Sequence, residues 1–180
     1  MAENLGPEKL QIHIEKATPE DAQELEELKY ENLKDRIAKG KLKASLPKRL
    51  AMRATAKSVS TVRQRIENHE ENVYFISRRG QEIAGMCLMI WHAKDDCFQF
   101  RQFYTRPKYA RQGIGTALLE EAKKHARTSR GSPKLMYLWT GDYNQEAQDF
   151  YSHRGFRATG ETKEEGGQTW VRFEPNPELS

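Results

Sequence analysis

A glycine turn, Gly113-Ile114-Gly115, limits the fold of this chain more than any other segment. The residues before it, 97–105, are rich in aromatic side chains and predict a strand. The residues after it predict an amphipathic helix with an apolar face formed by Ile114, Ala117, Leu118, Ala122 and Ala126. Such a turn presents free backbone N–H groups at the positive end of a helix dipole, and its missing Cβ atoms let an anion approach closely. The turn therefore predicts a phosphate-binding site.

Two common phosphate-binding motifs are absent at this turn. A dinucleotide-binding fingerprint needs a third glycine at position 118, which is Leu118. A P-loop needs Gly-Lys-Ser/Thr, but Gly115 is followed by Thr116-Ala117. The turn therefore belongs to another class of phosphate site.

The N-terminal part predicts a strand followed by a helix. Residues 12–14 predict a short strand. Thr18, Pro19 and Asp21 are a helix start signal, because Thr18 can cap, Pro19 suits the first turn and Asp21 completes a capping box. Apolar spacing continues this helix to about Leu33.

The remaining elements alternate between helices and strands. A second helix is predicted over 59–68, and another begins at Asn144 and ends at Gly155. Strands are predicted over 73–78, 82–92, 97–105, 135–139, 157–163 and 168–174. This order predicts an α/β (α+β) fold, in which a mixed six- to seven-stranded central sheet is flanked by about four helices. We expect one domain over residues 1–180, with its core over about 10–174.

The strand before the glycine turn changes its pattern halfway along. Phe98 and Phe100 occupy even positions, whereas Phe103 and Thr105 occupy odd ones. Because side chains alternate strictly along a strand, the change fits a β-bulge near residues 101–102. It fits equally well a strand whose two faces are both buried.

Composition and apolar segments exclude several classes of protein. Apolar residues make up 37% of the chain and charged residues 31%, which suits a core beneath a strongly charged surface. The longest apolar run, 83–91, is far shorter than the ~20 residues of a membrane-spanning helix. The start, Met1-Ala2-Glu3-Asn4, lacks a signal-peptide pattern. We therefore expect a cytoplasmic protein that does not bind membranes.

The cysteines and histidines do not form a metal-binding pattern. Cys87 and Cys97 lie in apolar stretches and are expected to be buried thiols. The five histidines are isolated, and His125 falls on the inner arc of its helix. We expect structural roles for these residues and no metal site.

Charge is distributed unevenly near the N-terminus. Residues 15–31 hold seven acids against two bases, whereas residues 34–57 hold nine bases against Asp35 alone. The basic stretch is either a solvated surface or a contact for an anionic partner. It contains no aromatic residues, which disfavours single-stranded nucleic acid as that partner.

Two spaced patterns carry a family resemblance. Arg111-Gln112-Gly113-Ile114-Gly115 is followed by Asn144-x-x-Ala147-x-x-Phe150-Tyr151-x-x-x-Gly155-Phe156, and Tyr104-Thr105-Arg106-Pro107 precedes both. With these patterns the chain resembles the GNAT superfamily of N-acetyltransferases over about residues 10–174. The resemblance implies the GNAT fold, with a bulged fourth strand, and acetyl-CoA as co-substrate.

The resemblance also implies a set of coenzyme contacts. The backbone of residues 103–105 would pair with pantetheine as an added strand, and the amides of residues 111–116 would hold the pyrophosphate. Asn144 would either bind the pantetheine arm or serve only as the helix cap. The implied coenzyme-binding residues are Phe103, Tyr104, Thr105, Arg111, Gln112, Gly113, Ile114, Gly115, Thr116 and Asn144.

The implied reaction is transfer of an acetyl group to a primary amine of a small molecule, peptide or protein, by direct attack in a ternary complex. Tyr151 matches the general acid of the family's pattern. A phenol with a pKa of about 10 is protonated at neutral pH and can donate to the leaving thiolate. The basic stretch favours an acceptor that carries carboxylate or phosphate groups.

The chain departs from the family at two positions. Ala110 replaces the usual Gln or Arg, and Trp139 replaces a glutamate base found in relatives that resemble ribosomal-protein N-acetyltransferases. Asp142, Glu31 or a water chain could accept the proton instead. Two rival functions stay open: a silent acetyl-CoA-binding regulator and an acetyltransferase acting on aminoacyl-tRNA. A homodimer is compatible with the sequence.

Overall fold

The centre of the molecule is a mixed seven-stranded sheet in the order β1-β2-β3-β4-β5-β7-β6. The computed structural model describes residues 12–40, 55–131 and 135–176. The strands are β1 (Ile14–Lys16), β2 (Asn72–Arg79), β3 (Glu82–His92), β4 (Cys97–Thr105), β5 (Leu135–Gly141), β6 (Phe156–Glu165) and β7 (Gln168–Pro175). β4 and β5 are parallel, and the other neighbouring strands are antiparallel. The predicted mixed sheet is confirmed.

Four α-helices within the described ranges cover the two faces of the sheet, as predicted. They are α1 (Ala22–Ala38), α2 (Ala56–Glu67), α3 (Ile114–Thr128) and α4 (Gln145–Ser152). Apolar residues of α1 and α2 pack with Tyr74, Ile76, Met86 and Leu88 in one buried cluster. Apolar residues of α3 and α4 form the other cluster with Phe75, Cys87, Met89, Phe98 and Phe100. None of the described helices is long and apolar enough to cross a membrane.

The first helix begins at the predicted signal but ends later. The Thr18 N–H donates to Asp21 Oδ2 at 2.8 Å, which is the predicted capping box. Pro19–Asp21 is a single 3₁₀ turn, and α1 then continues five residues past Leu33. The apolar spacing weakens there, but the Lys39–Asp35 ion pair, at 2.8 Å, lies across its last turn.

Two other predicted boundaries also move. The first strand runs over Ile14–Lys16 rather than 12–14, because Ile14 to Lys16 are the residues that pair with β2. The second helix begins at Ala56, three residues before its predicted start, because Thr55 and Ser58 form a capping box that the apolar spacing does not reveal.

β4 contains the predicted bulge. Leu88 of β3 pairs with Arg101 and Met86 pairs with Tyr104, so Cys87 faces both Gln102 and the following residue. Gln102 adopts a left-handed backbone conformation with a φ of 51°. The extra residue changes which side chains face each helix layer, and this explains the change of apolar parity.

Beyond the bulge, β4 separates from β5. Their parallel pairing begins at Cys97↔Leu135 and ends at Phe100↔Leu138. β4 nevertheless continues to Thr105 along β3, and β5 continues to Gly141 along β7. An opening therefore lies between the ends of these two neighbouring strands, and no described strand pairs with the β4 edge that faces it.

A buried arginine holds α1 against the sheet beside this opening. Arg106, which is 8% exposed, donates from Nε to the Ile83 carbonyl oxygen at 2.7 Å and from Nη2 to Glu24 Oε1 at 2.9 Å. Its Nη1 also donates to Glu31. Glu24 in turn accepts the Ile83 N–H at 2.7 Å. The network therefore supplies hydrogen-bond partners for both the N–H and the carbonyl oxygen of Ile83, where the pairing of β3 with β2 is irregular. It also fixes α1 over this part of the sheet.

We expect Arg106→Met to lower the free energy of unfolding by about 3 kcal/mol, because it leaves two carboxylates and a carbonyl without their donor. This value is at the low end for a broken buried pair, since Glu24 and Glu31 are partly exposed. Urea denaturation measures the change. Lys108→Met is the matched control, because Lys108 is exposed and its pair with Glu82 is a surface ion pair. Equal losses in the two variants would contradict the role of Arg106.

Candidate active site

A cleft of about 1010 Å³ lies along the end of β4 that no longer pairs with β5. Its walls come from the end of β4, the loop before α3, the first turn of α3, α4, and one face of α1. Most of the residues predicted for the site line it: Phe103, Tyr104, Thr105, Arg111, Gly113, Ile114, Gly115, Thr116, Asn144 and Tyr151. Gln112 does not; its exposed side chain donates to the Lys108 carbonyl oxygen at 3.4 Å.

One end of the cleft is formed by free backbone donors. None of the N–H groups of residues 111–116 donates to another described residue, and the first bond of α3 runs from Ala117 to the Gly113 carbonyl oxygen at 3.0 Å. Gly113 has a φ of 83° and Arg111 a φ of 61°, so the chain turns sharply and points successive amides the same way. Together with the positive end of the α3 dipole, this arrangement can bind a diphosphate.

Arg154 strengthens the positive charge at this end, and the sequence analysis missed it. Its Nη2 and Nε donate to Thr116 Oγ1 at 2.7 and 3.2 Å, and its guanidinium lies 4.0 Å from the centre of the Phe150 ring. These contacts hold a cation in the cleft wall beside the free amides. In the sequence, only the position of Arg154 directly before Gly155-Phe156 could have pointed to it. Its contact with α3 depends on the tertiary fold.

Asn144 begins α4 without the side-chain bond of a usual cap. Its N–H donates to the Gly141 carbonyl oxygen at 2.9 Å, and its side chain lines the cleft without a hydrogen bond to any described residue. Of the two predicted roles, side-chain capping is therefore not observed. The amide is available to a ligand in the cleft.

Tyr151 lies at the inner end of the cleft among aromatic rings. It is 7% exposed, and its ring packs against Phe103, Phe150 and Phe156 at centroid distances of 6.1, 5.2 and 6.0 Å. Burial raises the pKa of its hydroxyl above the ordinary value, and the neighbouring Cys87 and Tyr104 add to the rise. Its hydroxyl makes no hydrogen bond to a described residue. The Tyr151 hydroxyl is therefore protonated and available to donate a hydrogen bond to a ligand.

The bulge sends the next two side chains of β4 to opposite faces. Phe103 packs against α4, with its ring 5.7 Å from that of Phe150. Tyr104 packs in the cluster under α1 and α2. Burial raises the pKa of the Tyr104 hydroxyl, and the positive charge of Arg36 opposes that rise. The cleft thus has one wall on the α4 side and one on the α1 side, with Tyr104 directed to the latter.

The two carboxylates suggested as bases lie outside the cleft lining. Glu31 is bound by Arg106, and Asp142 is exposed. Three acids line the cleft: Asp35 pairs with Lys39 at 2.8 Å, Asp149 accepts from Gln145 Nε2 at 2.8 Å, and Glu146 is exposed. Glu31, Asp35 and Asp149 are therefore engaged by other residues, and Asp142 lies outside the cleft lining.

The cysteines are buried as expected, whereas His69 and His153 are exposed and His153 lines the cleft. Cys87 and Cys97 are buried free thiols, and burial raises the pKa of both. His125 is half-buried between Phe75 and Phe98, at centroid distances of 5.5 and 5.6 Å. No group of three or more His, Cys, Asp or Glu in the described ranges could hold a metal ion. Most of the basic stretch, 41–54, lies outside the described residues.

Solved structures with the same fold include several acetyltransferases. The paiA N-acetyltransferase from Thermoplasma acidophilum in complex with coenzyme A is 18% identical, with a TM-score of 0.62 over 91% of this chain and 98% of that one. An acetyltransferase of the GNAT family from Streptococcus pneumoniae is 19% identical, with a TM-score of 0.66 over 92% and 99%. A spermidine N-acetyltransferase chimera from Vibrio cholerae and hSSAT is 15% identical, with a TM-score of 0.66 over 94% and 97%.

Sequence comparison adds a direct assignment. No curated protein matches this chain. The acetyltransferase (GNAT) family pattern, however, matches residues 45–156, which cover β2 to β5, the glycine turn, α3 and α4. That span is more than half of the 180 residues and contains the amide-lined end of the cleft and Tyr151. The chain therefore belongs to the GNAT acetyltransferase family.

Proposed function

We propose that this protein transfers an acetyl group from acetyl-CoA to a primary amine of a small molecule or peptide, by direct attack in a ternary complex. The observation that carries the proposal is the row of free amides at residues 111–116, which shares one cleft with the open edge of β4 and the buried phenol of Tyr151. The paiA N-acetyltransferase with the same fold was solved with coenzyme A.

The coenzyme fits the cleft by the chemistry of its lining. A diphosphate needs several convergent donors, and the amides of residues 111–116 supply them, with Arg154 and Arg111 adding positive charge. The amides of the pantetheine arm need a strand-like partner. The edge of β4 at residues 103–105 faces the opening, and the Asn144 side chain lies in the cleft wall.

Bound acetyl-CoA would supply a thioester, a carbonyl carbon that accepts the amine and a thiolate that leaves. The chain's residues do the rest. The β4 edge orients the carbonyl, and a main-chain N–H at the bulge can stabilise the charge on its oxygen. As the C–N bond forms and the C–S bond breaks, the Tyr151 hydroxyl donates its proton to the sulfur.

The acceptor must lose a proton before or during attack. Of the three proton acceptors named from the sequence, Glu31 and Asp142 lie outside the cleft lining, which leaves water. An α-amino group, with a pKa near 8, is partly neutral at physiological pH, whereas a lysine amine near 10.4 is mostly charged. The reaction therefore suits an acceptor amine with a lowered pKa, or an assay at alkaline pH.

A silent acetyl-CoA-binding regulator is the second candidate, and one observation favours it. Trp139 occupies the position of the glutamate base in some relatives, and Lys163 covers its ring at 5.0 Å. Such a regulator would bind acetyl-CoA and release no thiol with any amine. Thiol release separates the two functions.

We expect Gly113→Ala to weaken acetyl-CoA binding about tenfold or more (~1.4 kcal/mol). The new Cβ would stand in the turn 3.2 Å from Ile12 Cδ1, and the φ of 83° is unfavourable for alanine. Calorimetry measures the dissociation constant. Gly80→Ala is the matched control: its φ is 60°, but nothing lies within 4 Å of its added Cβ. Equal effects of the two substitutions on coenzyme binding would contradict a diphosphate site at the turn.

We expect Tyr151→Phe to lower kcat about 100-fold while acetyl-CoA binding changes little, because general acid catalysis by one group contributes ~10²–10⁴-fold. The rate of thiol release, measured with an amine that the protein acetylates, gives kcat. Calorimetry measures acetyl-CoA binding. Tyr137→Phe, a half-buried phenol of β5 outside the cleft lining, serves as the control and should leave kcat unchanged.

The pH profile gives a second readout of Tyr151. Because burial raises its pKa above the ordinary value of 10.0, the phenol stays protonated throughout the usual assay range. The rate should therefore rise with pH as the acceptor amine loses its proton, with no falling limb below about pH 10. Unchanged turnover in Tyr151→Phe, or a falling limb near neutral pH that this variant abolishes, would contradict the assignment.

A further inference from the structure

The cleft has a second cationic end, on the α1 side. Four residues of α1 line it at helical spacing: Asn32, Asp35, Arg36 and Lys39. They form one face of the helix because positions three, four and seven apart lie above one another. This face is separate from the amides and Arg154 that would hold the coenzyme phosphates.

Arg36 differs from its neighbours on this face because its charge is not compensated. Lys39 pairs with Asp35 at 2.8 Å, and Asn32 Nδ2 donates to the Leu28 carbonyl oxygen at 3.0 Å. Arg36 makes no ion pair with a described residue, and its Nη2 is buried without a hydrogen-bond partner.

Arg106, by contrast, has hydrogen-bond acceptors for its guanidinium donors. Arg106 donates to the Ile83 carbonyl oxygen and to the carboxylates of Glu24 and Glu31. A buried guanidinium donor without an acceptor is unfavourable for the free protein, and the group is suited to planar, bidentate recognition of an oxyanion. The missing acceptor at Arg36 therefore points to a ligand.

Arg36 lies in the α1 wall of the cleft beside aromatic side chains. Its guanidinium carbon lies 5.7 Å from the centre of the Tyr143 ring. Tyr104, the bulge residue turned towards α1, lines the same cleft as Arg36 and Tyr151. Arg36 and Tyr104 line the same cleft, and the exposed Tyr143 contacts the guanidinium from outside the lining. We call this part of the cleft the Arg36 pocket.

We propose that the Arg36 pocket binds an oxyanion of the acceptor, so that the substrate is a primary amine that also carries a carboxylate or a phosphate. This inference rests on the proposed acetyl transfer. An anionic group supplies the acceptor that Arg36 Nη2 lacks. A polyamine, which carries only cations, would meet an uncompensated positive charge in the same place.

Three matched pairs of acceptors test the proposal by thiol release. They are β-alanine against propylamine, O-phosphoethanolamine against ethanolamine, and a tetrapeptide beginning with Glu against the same peptide beginning with Gln. We expect kcat/KM to be at least about tenfold higher for the anionic member of one or more pairs. The pair that shows it distinguishes a carboxylate from a phosphate and a small molecule from a peptide.

Variants on α1 tie this preference to the pocket. Arg36→Gln should abolish the preference and leave acetyl-CoA affinity unchanged, and Arg36→Lys should retain part of it. Lys34→Gln is the matched control, because Lys34 is an exposed cation of the same helix outside the cleft lining. Equal rates within every pair, faster turnover of spermidine than of all anionic acceptors, or a preference that survives Arg36→Gln would overturn the inference.

A binding experiment separates this inference from the proposed function. If acetyl-CoA binds but no amine releases thiol, acetyl transfer is wrong. The pocket is then tested on the protein–CoA complex with N-acetyl-β-alanine and N-propylacetamide as calorimetric probes. Tighter binding of the carboxylate, lost in Arg36→Gln, supports the anion site; equal binding of the two probes overturns it.

Discussion

The loss of pairing between β4 and β5 is the constraint on which the rest of the structure depends. Both strands keep their outer neighbours, so the sheet stays continuous while its middle opens. The bulge at Gln102 accompanies this separation and turns Phe103 towards α4 and Tyr104 towards α1. One extra residue in one strand thereby creates a cleft, exposes a backbone edge inside it and gives it two chemically different walls.

Three arginines lie in or beside the cleft walls, and the groups that each one contacts indicate its role. Arg106 is bound by the carboxylates of Glu24 and Glu31, and its task is to hold α1 to the sheet. Arg154 bonds to a hydroxyl, which leaves its positive charge in place beside the free amides of α3. Arg36 retains a buried donor without a partner. The fold thus neutralises Arg106 with carboxylates, whereas Arg154 and Arg36 make no ion pair with a described residue.

The sequence alone predicted those parts that depend on local chemistry. The Thr18 capping box, the bulge near Gln102 and the amide turn at Gly113 each follow from spacing over a few residues. It could not predict Arg154, and it could not single out Arg36 within the basic stretch 34–57, because each residue's role depends on a distant segment, Thr116 for one and Tyr143 for the other. The expected base, likewise, depended on geometry: Glu31 has a suitable carboxylate, but Arg106 binds it outside the cleft.

The central claim is that the backbone amides of residues 111–116 bind the diphosphate of acetyl-CoA. Titration of the ¹⁵N-labelled protein, which at 20.9 kDa is within easy reach of solution NMR, tests it most directly. The account predicts that saturating acetyl-CoA shifts these six amide resonances more than those of the β6–β7 hairpin, 156–175. Saturable binding that leaves them unmoved, or the absence of any binding at millimolar coenzyme, would contradict it.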